Sequence, residues 1–304
     1  MIKKIAVIGT GVIGTGWIIR CLAHNKKVIA YDQDLRLEKK LISEIKRAWP
    51  FIKKLFNKKK LNLKNFKYVT SIEEAVKDAD FIQECATENY AIKTKLMNTI
   101  GKYAKPNAII SSSSSGLLPT RIYSKCKNPA RTMIGHPFNP VYLCPGVEIV
   151  AGKKSKKKFL NKANKFYKSI SMNPIMVKKE LPGYLADRLQ EALWREGLHI
   201  INEGYATTKD LDRAIEDGPG LRWSLMGTFL TFHLAGGKAG MKHMLKQFGP
   251  ALKLPWTKLK APELSKKLSS RVIAGTRQQA KGKSVAMISN IRDEYLVNLQ
   301  KLRK

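Results

Sequence analysis

Residues 3–25 read KKIAVIGTGVIGTGWIIRCLAHN, and this stretch decides the fold. An apolar strand pattern, KKIAVI, runs directly into G-x-G-x-x-G, and a helix pattern follows. Glycines at this spacing permit a tight turn, close approach of the backbone to a pyrophosphate, and close packing of helix on strand. The first amide groups of the helix are donors for such an anion. The loop residues predicted to bind a dinucleotide are Gly9, Gly11, Val12, Ile13 and Gly14.

The next strand pattern, KVIAYD, ends in Asp32, twenty-three residues after Gly9. A carboxylate at this position accepts hydrogen bonds from the hydroxyls of the adenosine ribose. It also disfavours the additional phosphate of NADP. The sequence therefore predicts NAD as the cofactor.

The rest of the chain divides into two parts of different pattern. Short apolar runs alternate with helical patterns in the first part, which is typical of a parallel sheet built from βαβ units. Seven strands are predicted in KIAVIG, KVIAYD, KYVT, DFIQEC, AIISSS, TMIGH and VEIVAG. After NPIMVKK the patterns are helical, and WSLMGTFLTFHLAGG, residues 223–237, is predicted as one helix. We therefore predict an α/β protein with a doubly wound Rossmann-type domain at 1–180 and an all-helical domain at 181–304.

The formal net charge of +34 raises the hypothesis of a nucleic-acid partner. The lysines are spread over nearly every polar segment, however, and no zinc-finger spacing or RNA-binding aromatic signature accompanies them. A solvated basic surface without a nucleic-acid partner is therefore favoured. Such a surface attracts anionic ligands such as NAD.

The remaining composition indicates a cytoplasmic protein. Cys21, Cys85, Cys126 and Cys144 are scattered, without metal-ligand spacing, which predicts reduced thiols and no metal site. No apolar run reaches the length of a membrane span, and the N-terminus lacks the pattern of a signal peptide.

Three candidate catalytic groups fall at predicted strand ends. In HPFNPVYLCPGVEIV, residues 136–150, a proline-rich bend joins two extended pieces, so His136 and Glu148 are expected to face each other across adjacent strands. A histidine oriented by a carboxylate serves as a general base near neutral pH. Ser115, after AIISSSS, supplies a hydroxyl that holds a substrate oxygen.

The order of Gly-rich loop, Asp32, QECATENYAIK, serine-rich strand end, HPFNP and Glu148 resembles the L-3-hydroxyacyl-CoA dehydrogenase family along essentially the whole chain. The resemblance implies a catalytic His136–Glu148 pair, Ser115 on the substrate hydroxyl and Glu88 at the cofactor. It also implies that the helical domain contacts the substrate and forms a homodimer. That family usually has asparagine where PGYLADRL places Asp187. This departure disfavours an acyl-CoA substrate and suits one that carries a cation, although Asp187 pairing with a nearby arginine or amide is an equal alternative.

The segment from DGPGLRWSLMG to LPWTKL is similar to the carnitine 3-dehydrogenase branch, which oxidises L-carnitine with NAD. A trimethylammonium group offers no N–H donor, so its recognition relies on aromatic faces and carboxylates. The resulting substrate candidates are Asp187, Arg222, Trp223 and Phe229. Gulonate or another short 3-hydroxyacid, a 3-hydroxyacyl-CoA, and a non-enzymatic crystallin-like role remain as alternatives.

Overall fold

The computed structural model describes residues 2–57, 60–258, 260 and 262–302. Their contacts form two compact units. Residues 2–188 and 292–302 make up the first, and residues 189–291 make up the second.

The first unit is built on one sheet of eight strands in the order β3-β2-β1-β4-β5-β6-β7-β8. Its strands are β1 Lys4–Ile8, β2 Lys27–Tyr31, β3 Phe66–Val69, β4 Phe81–Glu84, β5 Ile109–Ser112, β6 Thr132–Pro137, β7 Gly146–Val150 and β8 Asn173–Val177. All neighbouring pairs are parallel except β6 and β7, which are antiparallel. The chain reverses its direction of winding between β1 and β4, where doubly wound sheets bind their ligands.

Helices cover both faces of this sheet. They are α1 Val12–Ala23, α2 Leu37–Phe56, α3 Ile72–Val76, α4 Tyr90–Tyr103, α5 Pro119–Ile122 and α6 Lys157–Ser169. Along β1, Ile5 and Val7 join a core with side chains of α1, α2 and α6, whereas Ala6 and Ile8 join a second core with α3 and α4. This period of two places alternate side chains on opposite faces. The predicted α/β fold class is confirmed.

All seven predicted strands are present, and β8 is an additional one. Three of its five residues are exposed, and it contains Pro174. It lies at the edge of the sheet, where a proline costs no ladder hydrogen bond. An edge strand of this kind lacks the buried apolar run that identifies the others.

The rest of the chain is helical, as predicted. Its helices are α7 Ala186–Glu203, α8 Thr208–Glu216, α9 Pro219–Trp223, α10 Thr228–Ala235, α11 Gly240–Phe248, α12 Lys266–Ala280 and α13 Val285–Leu302. The segment WSLMGTFLTFHLAGG, predicted as one helix, breaks at residues 224–227, where Gly227 precedes α10. Within the ranges that the structure describes, no helix has the length and apolarity needed to cross a bilayer.

Candidate active site

His136 and Glu148 lie directly opposite each other in the antiparallel pair of β6 and β7. Their side chains therefore leave the same face of the sheet, and His136 Nδ1 is 2.9 Å from Glu148 Oε2. Both residues are buried. The predicted cross-strand pairing is confirmed.

The second oxygen of Glu148 meets the start of α7. Glu148 Oε1 accepts hydrogen bonds from the backbone amides of Leu185, at 3.0 Å, and Ala186, at 3.2 Å. A carboxylate is favoured there because the helix N-terminus carries partial positive charge. An ionised carboxylate can only accept, so Nδ1 of His136 carries the ring hydrogen and Nε2 is left as an acceptor. The imidazole of His136 is thus oriented with Nε2 as its acceptor.

Asp187, in the first turn of α7, places a second carboxylate beside this histidine. Its Oδ2 is 3.7 Å from Nε2 of His136, and its side chain is 30% exposed. Glu148 occupies the opposite ring nitrogen, so the two acids flank the imidazole. Any substrate hydroxyl that reaches Nε2 therefore lies beside the Asp187 carboxylate.

Two aromatic rings border His136. The ring centroids of Phe138 and Tyr184 lie 5.4 Å and 5.6 Å from that of the imidazole. Burial raises the pKa of Tyr184, so its phenol stays neutral and donates to the carbonyl of Leu117 at 2.6 Å. Tyr184 therefore connects the surroundings of His136 to the loop that carries Ser115.

Glu88 anchors that loop. Its Oε1 accepts from the hydroxyl of Ser114, at 2.5 Å, and from the amides of Ser115, at 2.9 Å, and Gly116, at 3.2 Å. Burial acts to raise the pKa of Glu88, but these bonds and the charge of Lys93 outweigh it and hold the pKa below its ordinary value. Ser115 is exposed, and among the described residues its hydroxyl has no protein partner. That hydroxyl is available to a ligand.

A buried ion pair lies beneath this loop and was not singled out from the sequence. Lys93 Nζ, 1% exposed, donates to Oε1 of the fully buried Glu84 at 2.7 Å and to the carbonyl of Ala86 at 2.9 Å. Ser112 donates to the other oxygen of Glu84, and Oε2 of Glu88 is 3.5 Å from Lys93. Lys93 therefore links the two glutamates of QECATENYAIK. The sequence marks this ion pair only by a lysine inside that motif, and lysine is common throughout the chain.

The Gly-rich loop has the shape that a bound dinucleotide requires. Gly9 has φ +98°, and a Cβ there would lie 2.9 Å from the carbonyl oxygen of Cys85. A Cβ on Gly14 would lie 1.9 Å from the carbonyl oxygen of Gly9, whereas one on Gly11 would meet no atom of the described residues within 4 Å. The close approaches at Gly9 and Gly14 show that only glycine allows the loop, the strand and the helix to pack this tightly. The open space at Gly11 is where a pyrophosphate can approach the backbone.

The start of α1 fits the same ligand. Gly11 caps the helix without a side-chain hydrogen bond, and no acidic residue lies in the first turn, so the amides at Val12 and Ile13 face an anion site. Val12 is exposed and Ile13 is partly buried. Oδ2 of Asp32 accepts from the amide and hydroxyl of Thr10, at 2.9 Å and 2.8 Å, which aims the carboxylate over the loop. The donor set therefore fits NAD.

The other substrate candidates lie in the second unit. Arg222 and Trp223 end α9, and Phe229 lies in α10. Arg222 is exposed, Trp223 is half-buried, and Phe229 is 82% exposed. Their role in substrate binding remains a prediction.

Comparison with known families assigns both parts of the chain. Residues 4–181 match the profile described as 3-hydroxyacyl-CoA dehydrogenase, NAD binding domain. Residues 183–277 match the profile described as 3-hydroxyacyl-CoA dehydrogenase, C-terminal domain.

Curated proteins of high similarity share one name. L-carnitine dehydrogenase of Oceanobacillus iheyensis is 51% identical over 98% of this chain and 97% of its own length. L-carnitine dehydrogenase of Pseudomonas putida is 50% identical over 97% of this chain and 92% of its own length.

Solved structures share the fold at low identity. A 5-formyl-3-hydroxy-2-methylpyridine 4-carboxylic acid 5-dehydrogenase, an NAD+ dependent dismutase, superposes with a TM-score of 0.82 at 22% identity, over 99% of this chain and 98% of that one. (S)-3-hydroxybutyryl-CoA dehydrogenase of Ralstonia eutropha gives 0.66 at 21% identity, over 93% and 95%. The two family profiles together cover most of the chain, and we conclude that it belongs to the 3-hydroxyacyl-CoA dehydrogenase family and carries that family's NAD binding domain.

Proposed function

We propose that this protein oxidises the 3-hydroxyl group of L-carnitine to 3-dehydrocarnitine, with NAD as the hydride acceptor and His136 as the general base. The observation that carries the proposal is the position of Asp187, whose Oδ2 is 3.7 Å from Nε2 of His136. The similarity to L-carnitine dehydrogenases supports the same substrate.

Bound NAD supplies the hydride acceptor. The protein supplies the base, a hydrogen bond to the substrate oxygen, and the groups that hold the cofactor. Nε2 of His136 takes the proton of the hydroxyl as the hydride leaves the carbinol carbon. Glu148 stabilises the imidazolium that forms and keeps the ring in one orientation. The hydroxyl of Ser115 donates to the substrate oxygen. Asp32 and the Gly-rich loop hold the dinucleotide, and Glu88 is proposed as a further cofactor contact beside the Ser115 loop.

Asp187 fits a substrate with a cation close to its reacting hydroxyl. In carnitine, only two carbon atoms separate the hydroxyl oxygen from the quaternary nitrogen. A hydroxyl that contacts Nε2 of His136 therefore brings the ammonium group near Asp187, where attraction between opposite charges favours binding. We further propose that Trp223 and Phe229 supply aromatic faces to the methyl groups and that Arg222 pairs with the substrate carboxylate.

We also propose a cytoplasmic homodimer that uses the helical unit. Exposed apolar side chains in this unit support a covered surface: Leu225 is 73% exposed, Leu230 is 53% exposed and Leu234 is 59% exposed. The four cysteines are free thiols, which supports a reducing compartment. Light scattering on the purified protein, at concentrations above and below micromolar, measures the oligomeric state.

The test of the substrate is NADH formation with L-carnitine, D-carnitine, L-gulonate and 3-hydroxybutyryl-CoA in parallel. We expect turnover confined to L-carnitine in the wild type. Asp187→Asn keeps the size of the side chain and removes its charge, so the KM for L-carnitine should rise about 10-fold, equivalent to about 1.4 kcal/mol. Glu191→Gln is the matched control, because Glu191 lies one turn further along α7, is 53% exposed and pairs with Arg195. Turnover of gulonate or the thioester instead of L-carnitine would overturn the substrate assignment.

A further inference from the structure

The turn of residues 138–145 connects the strand of His136 to the strand of Glu148. Its position fixes how the two strand ends meet, and those ends carry the candidate catalytic pair. Phe138, the first residue of the turn, lies against the imidazole. Contacts that fix the position of this turn therefore also fix the relative orientation of His136 and Glu148.

The dinucleotide-binding helix holds one side of the turn. Gly16 of α1 lies so close to Val141 that a Cβ at Gly16 would come within 2.7 Å of the Val141 side chain. Arg20, fully buried, donates to the carbonyl of Val141 at 2.7 Å and to that of Cys144 at 3.0 Å. These contacts set the distance between the turn and the cofactor loop.

A segment from the far end of the chain holds the other side. Residues 292–302 of α13 belong to the first unit although they follow the whole helical unit in sequence. They also lie beyond residue 277, where the match to the family profiles ends. We call these residues the C-terminal segment. In it, Asp293 and Val297 are fully buried, and Val297 joins the core that contains Trp17 of α1.

Asp293 makes the direct contact with the turn. The hydroxyl of Tyr142 donates to Oδ2 of Asp293 in a short hydrogen bond. Burial and the neighbouring carboxylate both raise the pKa of Tyr142, so its phenol is a neutral donor across the physiological range. Arg292 donates to Oδ1 at 2.8 Å, and Arg47 of α2 lies 3.6 Å from Oδ2. A carboxylate with no solvent exposure is held only where such partners compensate it.

We propose that the C-terminal segment is a positioning element of the active site and that Asp293 is its positioning residue. Through Tyr142, Asp293 fixes the turn 138–145 against α1, and the turn fixes the mutual orientation of His136 and Glu148. The effect on turnover rests on the proposed function of His136. The effect on geometry does not depend on any substrate.

Two substitutions at the contact test this role. Tyr142→Phe removes only the hydroxyl, and Asp293→Asn removes the charge and keeps the size. Glu294→Gln is the control on the same helix. It breaks the exposed ion pair of Glu294 with Lys54 (2.7 Å) and does not change the contacts of Asp293. Each variant is measured well below its thermal midpoint, so that all molecules are folded.

The first readout is kcat for NADH formation, with NADH binding followed by fluorescence. A displacement of about 1 Å at a catalytic group lowers turnover as much as 100-fold, so we expect kcat to fall about 10- to 100-fold in both contact variants. NADH affinity and the kcat of Glu294→Gln should stay within about twofold of the wild type. The double variant should lose no more than the worse single one, because both act through one contact.

The second readout is the ring ¹⁵N spectrum of labelled protein, in which the signals of His136 are assigned by their loss in His136→Ala. The Nδ1–H form of His136 should be well defined in the wild type and in Glu294→Gln, and altered in both contact variants. Unchanged His136 signals and unchanged kcat in folded Tyr142→Phe and Asp293→Asn would overturn the proposal. If the wild type fails to oxidise L-carnitine while the ring signals change as expected, the proposed function fails and the positioning role stands.

Discussion

Glu148→Gln tests the central geometry of the site most directly, because it changes one oxygen of Glu148 to a donor. Glu148 accepts at both oxygens: Oε2 from Nδ1 of His136, and Oε1 from the amides of Leu185 and Ala186. A glutamine amide must turn its nitrogen towards one of these two sets of donors. Either orientation breaks a contact that the carboxylate satisfies.

The magnitude follows from which contact is lost. If the nitrogen faces His136, the ring hydrogen moves to Nε2, and Nε2 no longer accepts the substrate proton. Loss of a positioned general base costs about 100- to 10,000-fold in rate, equivalent to about 3–5 kcal/mol of activation free energy. If the nitrogen faces the start of α7, two partly buried amides lose their acceptor, which lowers the free energy of unfolding by about 1–3 kcal/mol. We therefore expect kcat to fall at least about 100-fold if the nitrogen faces His136, and the free energy of unfolding to fall by about 1–3 kcal/mol if it faces the start of α7.

The assay is the initial rate of NADH formation at saturating L-carnitine and NAD, with unfolding by urea on the same preparations. Glu180→Gln is the matched control, because Glu180 also accepts two protein donors, the amide and hydroxyl of Thr120 at 3.0 Å and 2.6 Å. The control should lose stability without a comparable loss of kcat. A folded Glu148→Gln enzyme with kcat within tenfold of the wild type and with unchanged stability would refute the role of Glu148 in orienting His136.

Two further outcomes are expected. Gly11→Ala should leave the thermal midpoint unchanged, because its Cβ meets no atom of the described residues within 4 Å, but should weaken NADH binding about 10-fold by entering the dinucleotide site. Gly14→Ala should also destabilise the fold, because its Cβ would lie 1.9 Å from the Gly9 carbonyl oxygen. Calorimetry and fluorescence titration separate the two effects, and unchanged NADH affinity in Gly11→Ala would place the dinucleotide elsewhere. The folded pKa of Glu88 lies below its ordinary value of 4.5, so its stabilising contribution is present above that value and is lost as the pH falls through the folded pKa. The urea midpoint should therefore fall more steeply from about pH 5 to pH 3 in the wild type than in Glu88→Gln, and parallel slopes would contradict this account.

The sequence was sufficient where structure depends on local pattern. The Gly-rich loop, seven strands and the opposition of His136 and Glu148 all follow from periodicity and from a bend between two short extended pieces. β8 was missed because Pro174 and exposed positions remove the apolar signal of a strand at the edge of the sheet. The break before α10 was missed because apolar residues continue through Gly227.

Contacts between distant parts of the chain could not be predicted in this way. The amides of Leu185 and Ala186 lie 37 and 38 residues from the Glu148 that they contact, and no period links them. The return of Asp293 to the turn at Tyr142 spans 151 residues. Such pairings depend on how the whole unit packs, and a single buried carboxylate carries no mark in the sequence that distinguishes it from an exposed one.

The formal charge of +34 and the carboxylate of Asp187 act over different distances, and this difference discriminates between substrate classes. The net charge attracts anions from solution, and salt at physiological strength screens that attraction beyond about 8 Å. NAD is an anion, and so are gulonate and acyl-CoA, so their association should weaken as salt rises. Carnitine is a zwitterion of zero net charge, and in the proposed site its ammonium interacts with Asp187 only at short range. We therefore expect kcat/KM for NAD to fall between about 0.05 M and 0.5 M salt while kcat/KM for L-carnitine, at saturating NAD, changes much less. An equal fall for both would mean that the surface charge, and not Asp187, governs how the substrate is recognised.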